Sequence, residues 1–274
     1  MGVCGLKGGM RVKFEYIEEK DGAVITKYLG EKENVEIQCE LDNLPVIAIG
    51  EGAFSQNHSV RNVIIPFGVE RIEGWAFCDC GSLEYVSVPD TVTEIHLYAF
   101  SCCVSLKEIE IPSSVKSIGE YAFINCYELK RVSLGDGITK IGKGIFKNAR
   151  ALEAVEIPRG IRRIANQAFY GCDELKAVFL NEGILSIEDE AFAYCESLQE
   201  TILPQSLRSI GENAFCGCIA LKNIKIPKGV SIIDCFAFSD CPKLTVFCEV
   251  EKKPNGWSRE WKDEATPVIW RHQQ

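Results

Sequence analysis

Fourteen cysteines stand in this 274-residue chain, and some stand close enough together to suggest chemistry. Cys78-Asp79-Cys80 and Cys216-Gly217-Cys218 are C-x-C pairs, and Cys102 and Cys103 are adjacent. Four thiolates or imidazoles converging tetrahedrally would hold zinc, but that geometry uses C-x₂₋₄-C spacing or histidine partners. The three histidines, His58, His96 and His272, belong to no such motif and read as solvated polar positions. Disulfides need Cα atoms about 4.4–6.8 Å apart, so sequence alone leaves bridges open. Nucleophile and phosphate signatures are absent: there is no G-x-S-x-G, H-E-x-x-H or Walker loop, and no G-x-G-x-x-G in a βαβ setting. Carboxylates such as Glu108 and Glu110 lie close together on one strand-like stretch, where a solvated face explains them.

The elements that must position these residues repeat. Phe54, Phe77, Phe100, Phe123, Phe146, Phe169, Phe192, Phe215 and Phe238 are each 23 residues apart, and an Ile stands five before every one. Ala precedes eight of these Phe residues, Ile145 being the exception. Cys follows three later in seven copies: Cys80, Cys103, Cys126, Cys172, Cys195, Cys218 and Cys241. The unit reads L-x-x-[VI]-x-[IL]-P-x-x-[VI]-x-x-I-x-x-x-A-F-x-x-C. Leu106, Ile109 and Ile111 alternate with Glu108 and Glu110 as in a short strand. Pro112 ends it by removing a ladder donor. Val115 and Ile118 form a second inward pair, and the spacing of Ala122, Phe123 and Cys126 predicts about one helical turn. One copy cannot bury its own apolar face, so the copies must stack. The cysteine column then reads as buried, weakly donating thiols, with disulfides or a metal as lesser readings.

This unit resembles the BspA-like (Treponema-type) leucine-rich repeat family over about residues 47–247. Its characteristic Gly after the Ile survives at Gly50, Gly119, Gly142 and Gly211. Pro254-Asn255-Gly256-Trp257, Trp261 and Pro267-Val268-Ile269-Trp270 are similar to that family's closing segment. The resemblance implies an α/β repeat solenoid: a right-handed leucine-rich-repeat superhelix of nine coils, each a short strand plus a turn or short helix. It further implies a non-catalytic protein-recognition scaffold, adhesin-like or surface-interacting in a bacterium. An intracellular interaction scaffold is the alternative, and a Cys-based metal or redox protein a remote one.

Both ends need caps, because a solenoid exposes an apolar cross-section there. Residues 1–46 are expected to form the first cap, a hairpin turning at Asp21-Gly22 followed by a degenerate coil with a five-residue insertion. Residues 47–247 are the repeats. Residues 248–274 form a Trp-rich cap in which Trp257 and Trp261, at i and i+4, share one face of a short helix; a sugar-binding aromatic pair is the lesser reading.

The formal net charge of −9 argues against nucleic acid and against a polybasic membrane patch. No apolar run reaches the roughly 20 residues of a membrane span. Residues 1–10 contain no secretory core, and the myristoylation pattern fails at Leu6. Location is therefore left between cytoplasmic and, with a leader before Met10, surface or secreted.

Function is expected on the outward strand positions, which fall in two columns. The first includes Tyr85, Glu108, Arg131 and Glu200. The second includes Glu110, Glu156, Phe179, Ile202 and Lys225. Phe179 and Ile202 beside Ala154 and Ala177 predict an apolar patch with a charged rim, which is the form of a binding hot spot. Thr201, standing where an inward Val or Ile is usual, suggests the alternative of a twist that tucks Ile202 away. A protein ligand, no cofactor and a monomeric chain complete the expectation.

Overall fold

Each repeat closes one turn, and equivalent residues of successive turns stack in columns. The structure, a computed structural model, describes Gly2–Val3 and residues 13–271. The Met10 region and His272 lie outside these residues.

The alternating Leu-x-x-Val-x-Ile stretch builds one parallel wall. Its strands include Asn34–Glu36, Asn62–Ile64, Tyr85–Ser87, Glu108–Ile111, Arg131–Leu134, Ala154–Glu156 and Ala177–Phe179, and then Asn223–Ile226, Thr245–Cys248 and Val268–Trp270. Residues 200–203 occupy the place between the last two groups and make one isolated bridge, Glu200 to Asn223. The second inward pair of each repeat builds a wall of two-residue strands, among them Ser117–Ile118, Lys140–Ile141, Arg163–Ile164, Ser186–Ile187 and Ser209–Ile210. We call these the long-strand and short-strand walls.

The third side of each turn corrects the expected helix: no α-helix occurs among the described residues. Here the backbone N–H groups are spent on the next turn. Phe77 donates to the Ala99 carbonyl, Trp75 to Leu97 and Asp79 to Ser101, and the same pattern recurs along the chain. A helix would need those donors for its own i−4 carbonyls. The residues two before and two after each Phe also hold positive φ, as in Trp75 (55°) and Asp79 (57°), which a right-handed helix does not permit.

Inside, the nine Phe rings stack at 4.8–5.6 Å. Tyr28 continues the stack beyond Phe54 at 5.1 Å, and Phe14 packs against Tyr28. At the other end Trp261 stands 23 residues after Phe238 and meets it edge-on at 5.9 Å. The register therefore runs on through Trp261, and the long-strand wall has about eleven places (ten strands plus residues 200–203) rather than nine. Trp257 and Trp261 are brought together, 5.0 Å apart, by turns and not by a helix. Buried Trp257 donates its indole N–H to the Val230 carbonyl.

The cysteine column has a specific partner. The thiols of Cys80, Cys103, Cys126, Cys172, Cys195, Cys218 and Cys241 each donate to the Phe carbonyl of the preceding turn, at 2.9–3.2 Å. That carbonyl already accepts a backbone N–H three residues on, such as Cys80 to Phe77. The thiol occupies its second lone pair, which burial would otherwise leave empty. All the described cysteines are free thiols.

At the N-terminus Phe14–Glu19 and Gly22–Tyr28 pair antiparallel as expected, although Lys20 and Asp21 make the turn and Gly22 already opens the second strand. The insertion in the first coil is a tight hairpin, Glu40–Leu41 against Leu44 and Pro45, closed by Asp42 and Asn43 at φ 50° and 67°.

Candidate recognition face

Strand alternation sends Val and Ile inward and leaves the residues between them on the outer surface of the long-strand wall. The ladder then fixes which of these are neighbours. Glu108 pairs with Arg131, Glu110 with Ser133, Ala154 with Ala177, and Glu156 with Phe179. Asn62 pairs with Tyr85 and Ile64 with Ser87 one group earlier. The two columns anticipated from the repeat are thus in register within each ladder.

The two halves of this face differ in character. Toward the N-terminus Tyr85, Ser87, Glu108, Glu110, Arg131 and Ser133 line a groove of about 1190 Å³. The Arg131 guanidinium donates two hydrogen bonds to the Glu108 carboxylate. Just before these strands runs a chain of ion pairs, with Arg61 and Lys107 on Glu84 and with Lys130 and Lys176 on Glu153. The hydrogen bond from Lys107, with that from Arg61, holds the Glu84 carboxyl below the usual range.

Toward the C-terminus the wall turns apolar. Ala154 and Ala177 leave the surface low, and Phe179 rises from it 61% exposed. Ile202, its counterpart on the next turn, is 85% exposed. The twist suggested by Thr201 does not bury Ile202. Instead the ladder is open beside Thr201: its hydroxyl is buried without a partner, and no strand pairing joins Ala177–Phe179 to residues 200–203. Glu156 and Glu200 are exposed, and neither carboxylate has a partner among the described residues. Lys225 is tied to Glu249 at 2.8 Å, and together with Lys225 the backbone N–H of Lys228 keeps that carboxyl below its ordinary value.

Two members of the second column escaped the sequence reading. Lys225 pairs with Phe247, and Phe247 with Ile269, so the apolar column resumes beyond Lys225. The step from Lys225 to Phe247 is 22 residues, and this one-residue deletion hid the register.

Among the described residues no three His, Cys, Asp or Glu side chains gather as a metal site would require, and no helix is long and apolar enough to cross a membrane. Burial drives the column thiols upward, Cys80 and Cys241 to about 12, away from the thiolate that redox or metal chemistry uses.

No curated protein matches this sequence. A leucine-rich repeat protein of T. pallidum is 33% identical over 68% of this chain and 88% of its own, with a TM-score of 0.66. A leucine-rich repeat protein of Bacteroides ovatus has the same fold with a TM-score of 0.74, at 24% identity over 97% of this chain and 79% of its own. The BspA type leucine rich repeat region matches in six copies over residues 47–176 and 139–252, together 206 of the 274 residues. With the Phe column, the Cys–carbonyl ladder and the two parallel walls in hand, that match places the chain in the BspA-type leucine-rich repeat family.

Proposed function

We propose that this chain is a non-catalytic recognition scaffold that binds a protein partner along the outer face of the long-strand wall. Phe179 and Ile202 are the anchors. Glu156, Glu200 and Lys225 form the rim, and Tyr85, Glu108, Glu110 and Arg131 orient the partner in the neighbouring groove. The observation that carries this reading is the exposure of Phe179 and Ile202 on successive turns of the same wall. Large apolar side chains presented on a rigid surface cost little ordering entropy when they bind. Burying both removes on the order of 250 Å² of apolar surface from water, an upper bound of about 6 kcal/mol. Ordering and desolvation reduce that to a net contribution of about 2–4 kcal/mol.

The adhesin-type form of this reading, with a single chain engaging a protein outside a bacterial cell, rests on the family. The experiment is a binding titration of purified matrix proteins on the wild-type chain and on Phe179→Ser/Ile202→Ser, with photo-crosslinking from position 177 in the producer's own lysate as a parallel arm. Affinity should fall by about 30- to 1000-fold while the melting temperature holds. A matrix ligand bound equally well by the double variant defeats the assignment of this face. Partners found only in the lysate arm would replace the adhesin form with an intracellular scaffold.

A further inference from the structure

The short-strand wall carries a charge pattern that the chain's overall balance conceals. Its two outward columns from Lys116 to Ser209 hold ten residues over five turns, and none is acidic. Five are cations, Lys116, Lys140, Arg162, Arg163 and Arg208, in a chain whose net charge is −9. All five are exposed. The ammonium groups of Lys116 and Lys140 have no partner among the described residues. Arg162 and Arg208 lean on backbone carbonyls, Arg162 on Gly183 and Arg208 on Gln205 and Leu207, which fixes their guanidinium groups and leaves further N–H donors free. Only Arg163 faces a carboxylate, Glu188, at 3.4 Å. Glu94, paired with Ser117 one turn earlier, Glu120 and Glu188 flank the stripe, and the hydroxyls of Ser117, Ser186 and Ser209 punctuate it.

At its centre the wall is open. Pairing joins Ser117–Ile118 to Lys140–Ile141, and Arg163–Ile164 to Ser186–Ile187, but nothing joins Lys140–Ile141 to Arg163–Ile164. On either side Thr139 donates to Lys116 and Leu185 to Arg162; the equivalent bond from Arg162 to Thr139 is missing. A notch of about 70 Å³ results, lined by Thr139, Lys140, Arg162, Arg163 and Ala165. The stacked core beneath this turn departs from the repeat. Ile145 stands where the other copies have Ala, and Phe146 lies 5.6 Å from both neighbouring rings where the others approach to 4.8–5.3 Å.

We propose that this stripe binds a linear anionic polysaccharide, with one anionic group seated in the notch against Lys140, Arg162 and Arg163. Guanidinium forks bind oxyanions bidentately, and at the strand spacing of ~4.8 Å per turn the stripe is roughly 20 Å long, matching an extended polymer. Its ten positions include no aromatic on which a nucleic-acid base could stack. Their single exposed apolar residue, Leu185, makes a poor anchor for a protein.

The test titrates a heparin-derived hexasaccharide, a hyaluronan hexasaccharide and a single-stranded oligothymidine of similar length against the intact chain. Lys140→Ser/Arg162→Ser/Arg163→Ser should weaken the glycan by at least about 30-fold and flatten its salt dependence by about two to three contacts. Lys107→Ser/Lys130→Ser/Lys176→Ser removes equal charge from another side and should change affinity less than about threefold. Glu188→Gln, which frees Arg163, should tighten binding by about threefold, a gain that no folding defect produces. Neither glycan binding, equal losses in the two triple variants, or oligothymidine binding as tightly as the glycans would each overturn the proposal.

Discussion

Alkaline pH should unfold this solenoid through its cysteine column. The seven thiols that donate to Phe carbonyls are buried, and burial raises each well above its ordinary value, Cys80 and Cys241 to about 12. In the unfolded chain the same thiols ionise near 8.5. A raised folded value means that the stabilisation is complete below about pH 8.5 and is lost as pH rises toward the folded values, because only the unfolded state releases protons in that window. Seven thiols together give a loss of about 1 kcal/mol near pH 8 and about 6 kcal/mol near pH 9, comparable to the whole stability of many domains. Urea titrations followed by circular dichroism at intervals between neutral pH and about pH 9.5 would measure it, with reductant present so that oxidation does not intrude. Cys126→Ala/Cys195→Ala provides the control. It should lower stability at neutral pH by about 2 kcal/mol per site through the lost bond and cavity, while removing two sevenths of the column's share of the pH dependence, the rest of which includes the raised Cys216 and Cys248. If the midpoint is flat across this range, or if the double variant keeps the full slope, the thiols are not protonated donors in the folded state and the reasoning fails.

Two further outcomes follow from local geometry. Gln56 is exposed with φ at 60°, so Gln56→Gly should raise stability by about 0.5 kcal/mol, the relief of left-handed strain less the entropy that glycine adds to the unfolded chain; a loss in the urea midpoint would contradict the strain. Thr201→Val removes a buried hydroxyl that has no partner and should stabilise by about 1–2 kcal/mol. Hydrogen exchange should show new protection at residues 200–203, and unchanged exchange there would mean that something other than the hydroxyl opens the ladder.

Much of the fold is legible in the sequence because its interior is periodic. Phe every 23 residues, with Ile five before, fixes which side chains stack, and the outward columns follow by counting. What the period hid has physical causes. The Ala-Phe-x-x-Cys spacing suits a helical turn, yet the N–H groups of Phe77 and its equivalents bond to the next turn, and sequence spacing carries no information about such a long-range competitor. A clue was present: Asp79, Asn125, Asn148, Gly171, Gly217 and Asp240 stand two after the Phe, residue types that tolerate the left-handed conformation found there. The final turn was missed because Trp261 replaces Phe and a single deletion precedes it. Net charge, which averages over every face, conceals the cation stripe; it emerges only when the short-strand positions are counted at the same 23-residue step.

Both candidate surfaces coincide with departures from the repeat. The long-strand ladder is open beside Thr201, between Phe179 and Ile202, and the short-strand wall is open between Lys140 and Arg163, in the turn that carries Ile145. Each departure costs packing or hydrogen bonding that neighbouring turns retain, and a solenoid tolerates it because each turn contacts only its neighbours. A perfectly regular wall spends its backbone N–H and C=O groups on its own ladder and offers side chains alone. In the short-strand wall the opening also presents a small concavity, the notch beside Lys140 and Arg163. The same logic separates the faces chemically. Apolar anchors between unpaired carboxylates suit a protein surface, whereas an acid-free run of cations around a small notch suits repeating negative charge. On these two proposals the ligands would not compete, since the residues that would hold them point outward from different walls.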